Sequence, residues 1–136
     1  ATLPSPLLPN DTLRITTVFR AKLPAIFART GRSGDFFMVA QWFPKIGVWE
    51  PAGSRYATKG AWNCHQFHAH SEFFADFGVY QVDITVPKQF WVGATGQMVR
   101  ETQAPNGKKT LYYLAEDVVD FAWTAFPRFV VVDDTW

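Results

Sequence analysis

One cysteine, Cys64, stands alone in a chain of 136 residues, so no disulfide can close within it. That leaves the compartment open, because secreted domains also exist without disulfides. Neither sign of charge dominates: thirteen Lys and Arg face twelve Asp and Glu, for a formal net charge of +1. Nucleic-acid binders concentrate positive charge on one face. Here the closest basic pair is Lys108-Lys109, too small for a phosphate-tracking patch. No apolar run approaches the roughly 20 residues that span a bilayer, and no basic stretch followed by an apolar run marks a signal peptide. Nucleophile elbows of the Gly-x-Ser-x-Gly type, glycine-rich phosphate loops and the His-Glu-x-x-His zinc motif are all missing. Nowhere do apolar residues repeat at helical spacing through three turns.

What is present suffices for a core. The chain is 48% hydrophobic and 17% aromatic, far from a disordered composition, and its length fits one domain over residues 1–136. The opening "ATLPSPLLPN" has no methionine and three prolines in nine residues. It predicts an extended lead-in over 1–10 and an excised piece of a larger protein.

Period-2 patterning then predicts strands. Residues 13–20 alternate, with Leu13, Ile15 and Phe19 on one face. "FFMVAQWF" (36–43) is a continuous apolar run of buried-strand length. "VYQVDITV" (79–86) puts Tyr80, Val82, Ile84 and Val86 on one face and Gln81, Asp83 and Thr85 on the other, and Pro87 ends it. "FWVGATG" (90–96) pairs nearby. "QMVRETQ" (97–103) and "KKTLYYLA" (108–115) form a hairpin around Asn106-Gly107, residues suited to positive backbone angles. A last strand is expected at "RFVVVDD" (128–134). The fold class is all-β, mostly antiparallel and sandwich-like, with a long packed loop over 44–78.

"HQFHAH" (65–70) holds all three histidines. His65, His68 and His70 are zinc-ligand types, with Glu72 near enough to be a fourth. A strand would put His68 and His70 on one face and His65 on the other, and a helix there lacks length and periodicity. The three histidines are therefore read as structural, with no metal site in this chain. Cys64 beside His65 does not make a thiol catalyst, since adjacent residues rarely present their side chains to one another. The aromatics favour a core role over a stacking platform, with Trp62 and Trp91 the least settled.

Three stretches carry a resemblance: "FMVAQWFPKIGVWEP" (37–51), "WNCHQFHAHSEFFADFGVYQVDITVPKQFWVGATG" (62–96) and "AEDVVDFAWTAFPRFVVV" (115–132). Together they resemble the amino-terminal domain of zinc aminopeptidases, the family of membrane alanyl aminopeptidase and leukotriene A4 hydrolase, and its bacterial members most closely. The resemblance implies a saddle-shaped β domain without catalytic residues. Its partner would be the catalytic domain of the same polypeptide, where the Gly-x-Met-Glu-Asn and His-Glu-x-x-His motifs would hold zinc and act on a peptide substrate. It also implies that "QWFP" offers Gln41 to the substrate pocket, although Trp42-Phe43 departs from the common Gln-Phe-x-Pro pattern. The rival is a stand-alone aromatic-rich module binding carbohydrate or peptide.

Overall fold

A computed structural model describes residues 3–54, 57–63, 68–70, 72–132 and 134. Nine strands and no helix occur among them: β1 (Gly31–Ser33), β2 (Phe36–Val39), β3 (Val48–Glu50), β4 (Ala61–Asn63), β5 (Gly78–Pro87), β6 (Trp91–Ala94), β7 (Gln97–Ala104), β8 (Lys108–Val118) and β9 (Trp123–Phe126). They form a four-stranded sheet in the order β1-β2-β9-β6, a three-stranded sheet β5-β8-β7 and the pair β3-β4. Every strand pair is antiparallel.

The two larger sheets meet across one core. Ile84 and Val86 of β5 and Leu111, Tyr113 and Ala115 of β8 cluster with Ala125 of β9 and with Phe90 and Phe121 from the connections. Among the described residues Phe121 is the one large side chain with no exposure at all (0%). The alternation over 79–86 holds as read. Ile84 and Val86 are buried and Tyr80 and Val82 half-buried, while Gln81, Asp83 and Thr85 face out.

One further sequence expectation is met. Asn106 and Gly107 take φ of 58° and 68° and turn β7 into β8, which a residue tolerant of the left-handed region must do. Between β6 and β7 the chain leaves one sheet for the other through Thr95-Gly96. Gly96 has φ 83°, and a Cβ there would lie 2.2 Å from the Leu114 carbonyl oxygen. The "VGATG" stretch therefore ends on a position that only glycine fits.

Three expectations are corrected. Residues 13–20 form no strand and are exposed, Val18 at 97%. Apolar alternation specifies a face, but a strand also needs a neighbour for its ladder, and no described strand lies beside this segment. The expected strand at 36–43 stops at Val39, because Gln41 adopts φ 54° and turns the chain. Of the expected strand at 128–134, residues 128–132 and 134 belong to no strand, and Asp133 lies outside the described residues. The pairing element sits earlier, at β9, and is followed by Pro127, which has no N–H to extend a ladder. Within the long loop over 44–78 lies the β3-β4 hairpin, which the patterning did not announce.

Candidate functional site

The turn at Gln41 sends consecutive side chains in different directions. Trp42 swings inward and donates its indole N–H to the Phe121 carbonyl at 3.0 Å. Gln41 stays at the surface, and its Nε2 donates to Asp120 Oδ2. Lys45 closes the arrangement, with its Nζ 2.9 Å from Asp120 Oδ1 and 3.4 Å from Gln41 Oε1. The ammonium also lies over the Phe73 ring, 4.1 Å from its centroid, and 5.2 Å from that of Phe43. Aromatic faces attract such a cation, so the charge is held from three sides.

Asp120 in turn receives the backbone N–H of Phe121 at 2.8 Å. Its carboxylate is thus shared among an amide, an ammonium and a main-chain donor. A carboxylate so engaged is a structural anchor. It does influence its neighbour. The Tyr80 hydroxyl is pushed above its ordinary value first by burial and then by the Asp120 charge, and Tyr80 donates to the Val119 carbonyl at 3.3 Å.

Seen from Val119 to Ala122, this is one node. Each of these four residues is held by a side chain from a distant part of the chain: Tyr80 at Val119, Gln41 and Lys45 at Asp120, Trp42 at Phe121, and Thr95 at Ala122. The "QWFP", "VGATG" and "DFAW" stretches come together here. Gln41 is therefore at the surface but committed, and contact with a ligand would require Lys45 or Asp120 to release it.

The histidine reading falls partly outside the described residues, where Cys64 and His65 lie. His68 and His70 are exposed. Among the described residues no three His, Cys, Asp or Glu side chains come together to hold a metal. Glu72 is engaged by Arg29, whose NH1 donates to Oε2 at 2.7 Å while NH2 reaches Oε1. That forked pair holds the Glu72 carboxyl below, and the Arg29 guanidinium above, their ordinary values, chiefly through hydrogen bonding.

A concavity elsewhere was not read from the sequence. A cavity of about 530 Å³ opens between β6 and the β7-β8 hairpin, with Trp91, Met98, Leu111 and Val131 among its walls. Lys109 lies at its edge with only 9% exposure, its Nζ 3.2 Å from Glu101 Oε2 and 5.4 Å from the Trp91 ring centroid. The signal was available: Lys109 shares the period-2 phase of Leu111, Tyr113 and Ala115, which places it on the inward face. Trp62 and Trp91, the two aromatics left open, are 59% and 51% exposed.

In comparisons with known proteins, no family model matches the chain, and neither a curated protein nor a solved structure does.

Proposed function

We propose that the chain is a noncatalytic β domain of a zinc-dependent aminopeptidase, which packs on the catalytic domain of the same polypeptide and walls one side of the substrate cleft. The observation that carries this reading is the exposed surface. The chain exposes 11349 Å², whereas a folded monomer of this mass exposes about 7,200 Å². The surplus includes large apolar side chains at Ile15, Val18, Ile46, Trp49, Phe77 and Val130. Exposed apolar surface of this extent supports coverage in use, and a wide wall suits it better than a narrow ligand slot.

The resemblance supplies the identity of the covering domain. On this reading zinc belongs to that domain, bound by its own His-Glu-x-x-His, and the residues described here bring no ligand set to it. Gln41 acts from the wall once Asp120 or Lys45 releases its amide. A second reading, a stand-alone carbohydrate or peptide module, is favoured by one feature. Trp49 and Trp62 are cross-strand partners on the β3-β4 hairpin, edge to face at 5.6 Å, with the Asn63–Glu50 hydrogen bond beside them.

An assay on aminoacyl anilides tests the first reading. The isolated chain is expected to be inactive with or without zinc, while the full-length polypeptide turns substrate over and changes side-chain preference in Gln41→Ala with its zinc content intact. Turnover by the isolated chain that a substitution in it abolishes would overturn the reading. Saturable oligosaccharide binding lost in Trp62→Ala would favour the second.

A further inference from the structure

An irregularity in β7 brings Met98 and Glu101 to one face of the sheet. Regular alternation would point residues three apart to opposite sides. The register skips between Met98 and Arg100, so Met98 lies opposite Tyr113 and Glu101 opposite Leu111. Tyr113 and Leu111 share the inward phase of β8 with Lys109, and these side chains all line the cavity of about 530 Å³ beside β6. Bulges that re-aim a side chain are frequent next to functional sites.

The cavity falls within the roughly 300–1,000 Å³ of small-molecule sites. Trp91, Met98 and Leu111 give it apolar walls, and its charged lining is Lys109 and Glu101. These two are paired at 3.2 Å and cancel each other's charge. An anion drawn to Lys109 would meet Glu101, and a cation drawn to Glu101 would meet Lys109, so neither gains a net attraction. Hydrogen-bonding capacity is left over. An ammonium has three donors and a carboxylate two oxygens, and the pair uses Lys109 Nζ toward Glu101 Oε2 alone. A neutral group that carries a carbonyl and an N–H on the same carbon can use both residues while the pair stays intact.

We propose that this cavity binds a small neutral carboxamide with an apolar body. The ligand's carbonyl accepts from Lys109, its N–H donates to Glu101 Oε1, and its body lies along Trp91, Met98 and Leu111. The ion pair is part of the site and is not displaced. This site stands independently of the proposed function.

Octanamide, octanoate and octylamine share a chain and differ in head charge, so titrating the full chain with each at neutral pH tests the proposal. Octanamide should bind saturably with a dissociation constant of about 0.1–1 mM, shifting the Met98 methyl and Trp91 indole resonances. Both charged analogues should bind at least about tenfold more weakly. Trp91→Ala, at a half-exposed position, should weaken octanamide at least about fivefold. Glu101→Gln leaves Lys109 unneutralised and should turn the preference to octanoate, whereas Lys109→Met should turn it to octylamine, each at least about tenfold. Glu101 has an exposed side chain, so its variant keeps the test available should Lys109→Met fail to fold. No saturable octanamide binding, equal affinity for the three compounds, or a head preference unmoved by Glu101→Gln would overturn the proposal.

Discussion

Thr95 and Ala122 bond to each other in both directions: the Thr95 N–H donates to the Ala122 carbonyl at 2.9 Å, and the Ala122 N–H donates to Thr95 Oγ1 at 3.1 Å. The contact ties the crossover between the sheets to the segment that carries Phe121 into the core. Thr95→Val keeps the shape and removes the acceptor, leaving the partly buried Ala122 N–H without its partner. The expected cost is about 1–3 kcal/mol in urea unfolding, with Thr95→Ser close to wild type. A destabilised Ser variant beside a Val variant close to wild type would mean that the methyl group, not the hydroxyl, matters at this position.

Glycine at 96 and at 107 should respond differently to alanine. Both have positive φ, but a Cβ at Gly107 meets nothing within 4 Å, whereas at Gly96 it meets Leu114 backbone and the Ala115 Cβ. Gly107→Ala should cost about 1–2 kcal/mol, the left-handed penalty alone. Gly96→Ala adds a backbone collision to that and should cost several-fold more or prevent folding. Similar melting temperatures for the two variants would contradict the crossover geometry.

On β5, Ile84→Ala should lose about 2–5 kcal/mol, the range for truncating a large buried aliphatic. Thr85 faces solvent and its hydroxyl meets that of Thr110 at 2.8 Å, so Thr85→Ala should cost well under half as much. Small and equal effects would place the strand in the wrong register.

Alkaline stability should fall above about pH 10. Burial first, then the charge of Glu101, pushes the Tyr113 hydroxyl above its ordinary value of 10.0, and in the folded protein that hydroxyl donates to the Val92 carbonyl at 3.0 Å. Raised in the folded state, the group contributes stability that is fully present below the unfolded value and lost as pH rises through the folded one. Tyr113→Phe should flatten this alkaline limb in pH-dependent unfolding, apart from the part owed to Tyr80. The Arg29–Glu72 pair acts at the other end. The Glu72 carboxyl is lowered from 4.5, so its contribution is present above that value and lost as pH falls through the lower folded one. An exposed pair of this kind should also fade with added salt.

How much was legible follows from what each signal reports. Alternation at Tyr80, Val82, Ile84 and Val86 reports a buried face, and that face is where the core lies. Asn106-Gly107 reports local backbone angles, and the hairpin follows from them. The same alternation at 13–20 misled, because a side-chain pattern does not say whether a neighbouring strand exists. Phe121 was missed because its segment is held by side chains from distant positions, and the donors Trp42, Tyr80 and Thr95 converge only in three dimensions. Gln41 was named from a resemblance, and no sequence pattern disclosed its attachment to Asp120 and Lys45.

The claim that this chain is a wall covered by a catalytic domain is tested most directly by hydrogen exchange, comparing the isolated chain with the same residues in the full-length polypeptide. The account predicts that amides over 13–20, exposed and outside every described strand, exchange fast in the isolated chain and become at least about tenfold slower in the full-length protein, while the β5-β8 core is protected in both. Equal exchange over 13–20 in the two proteins would contradict it.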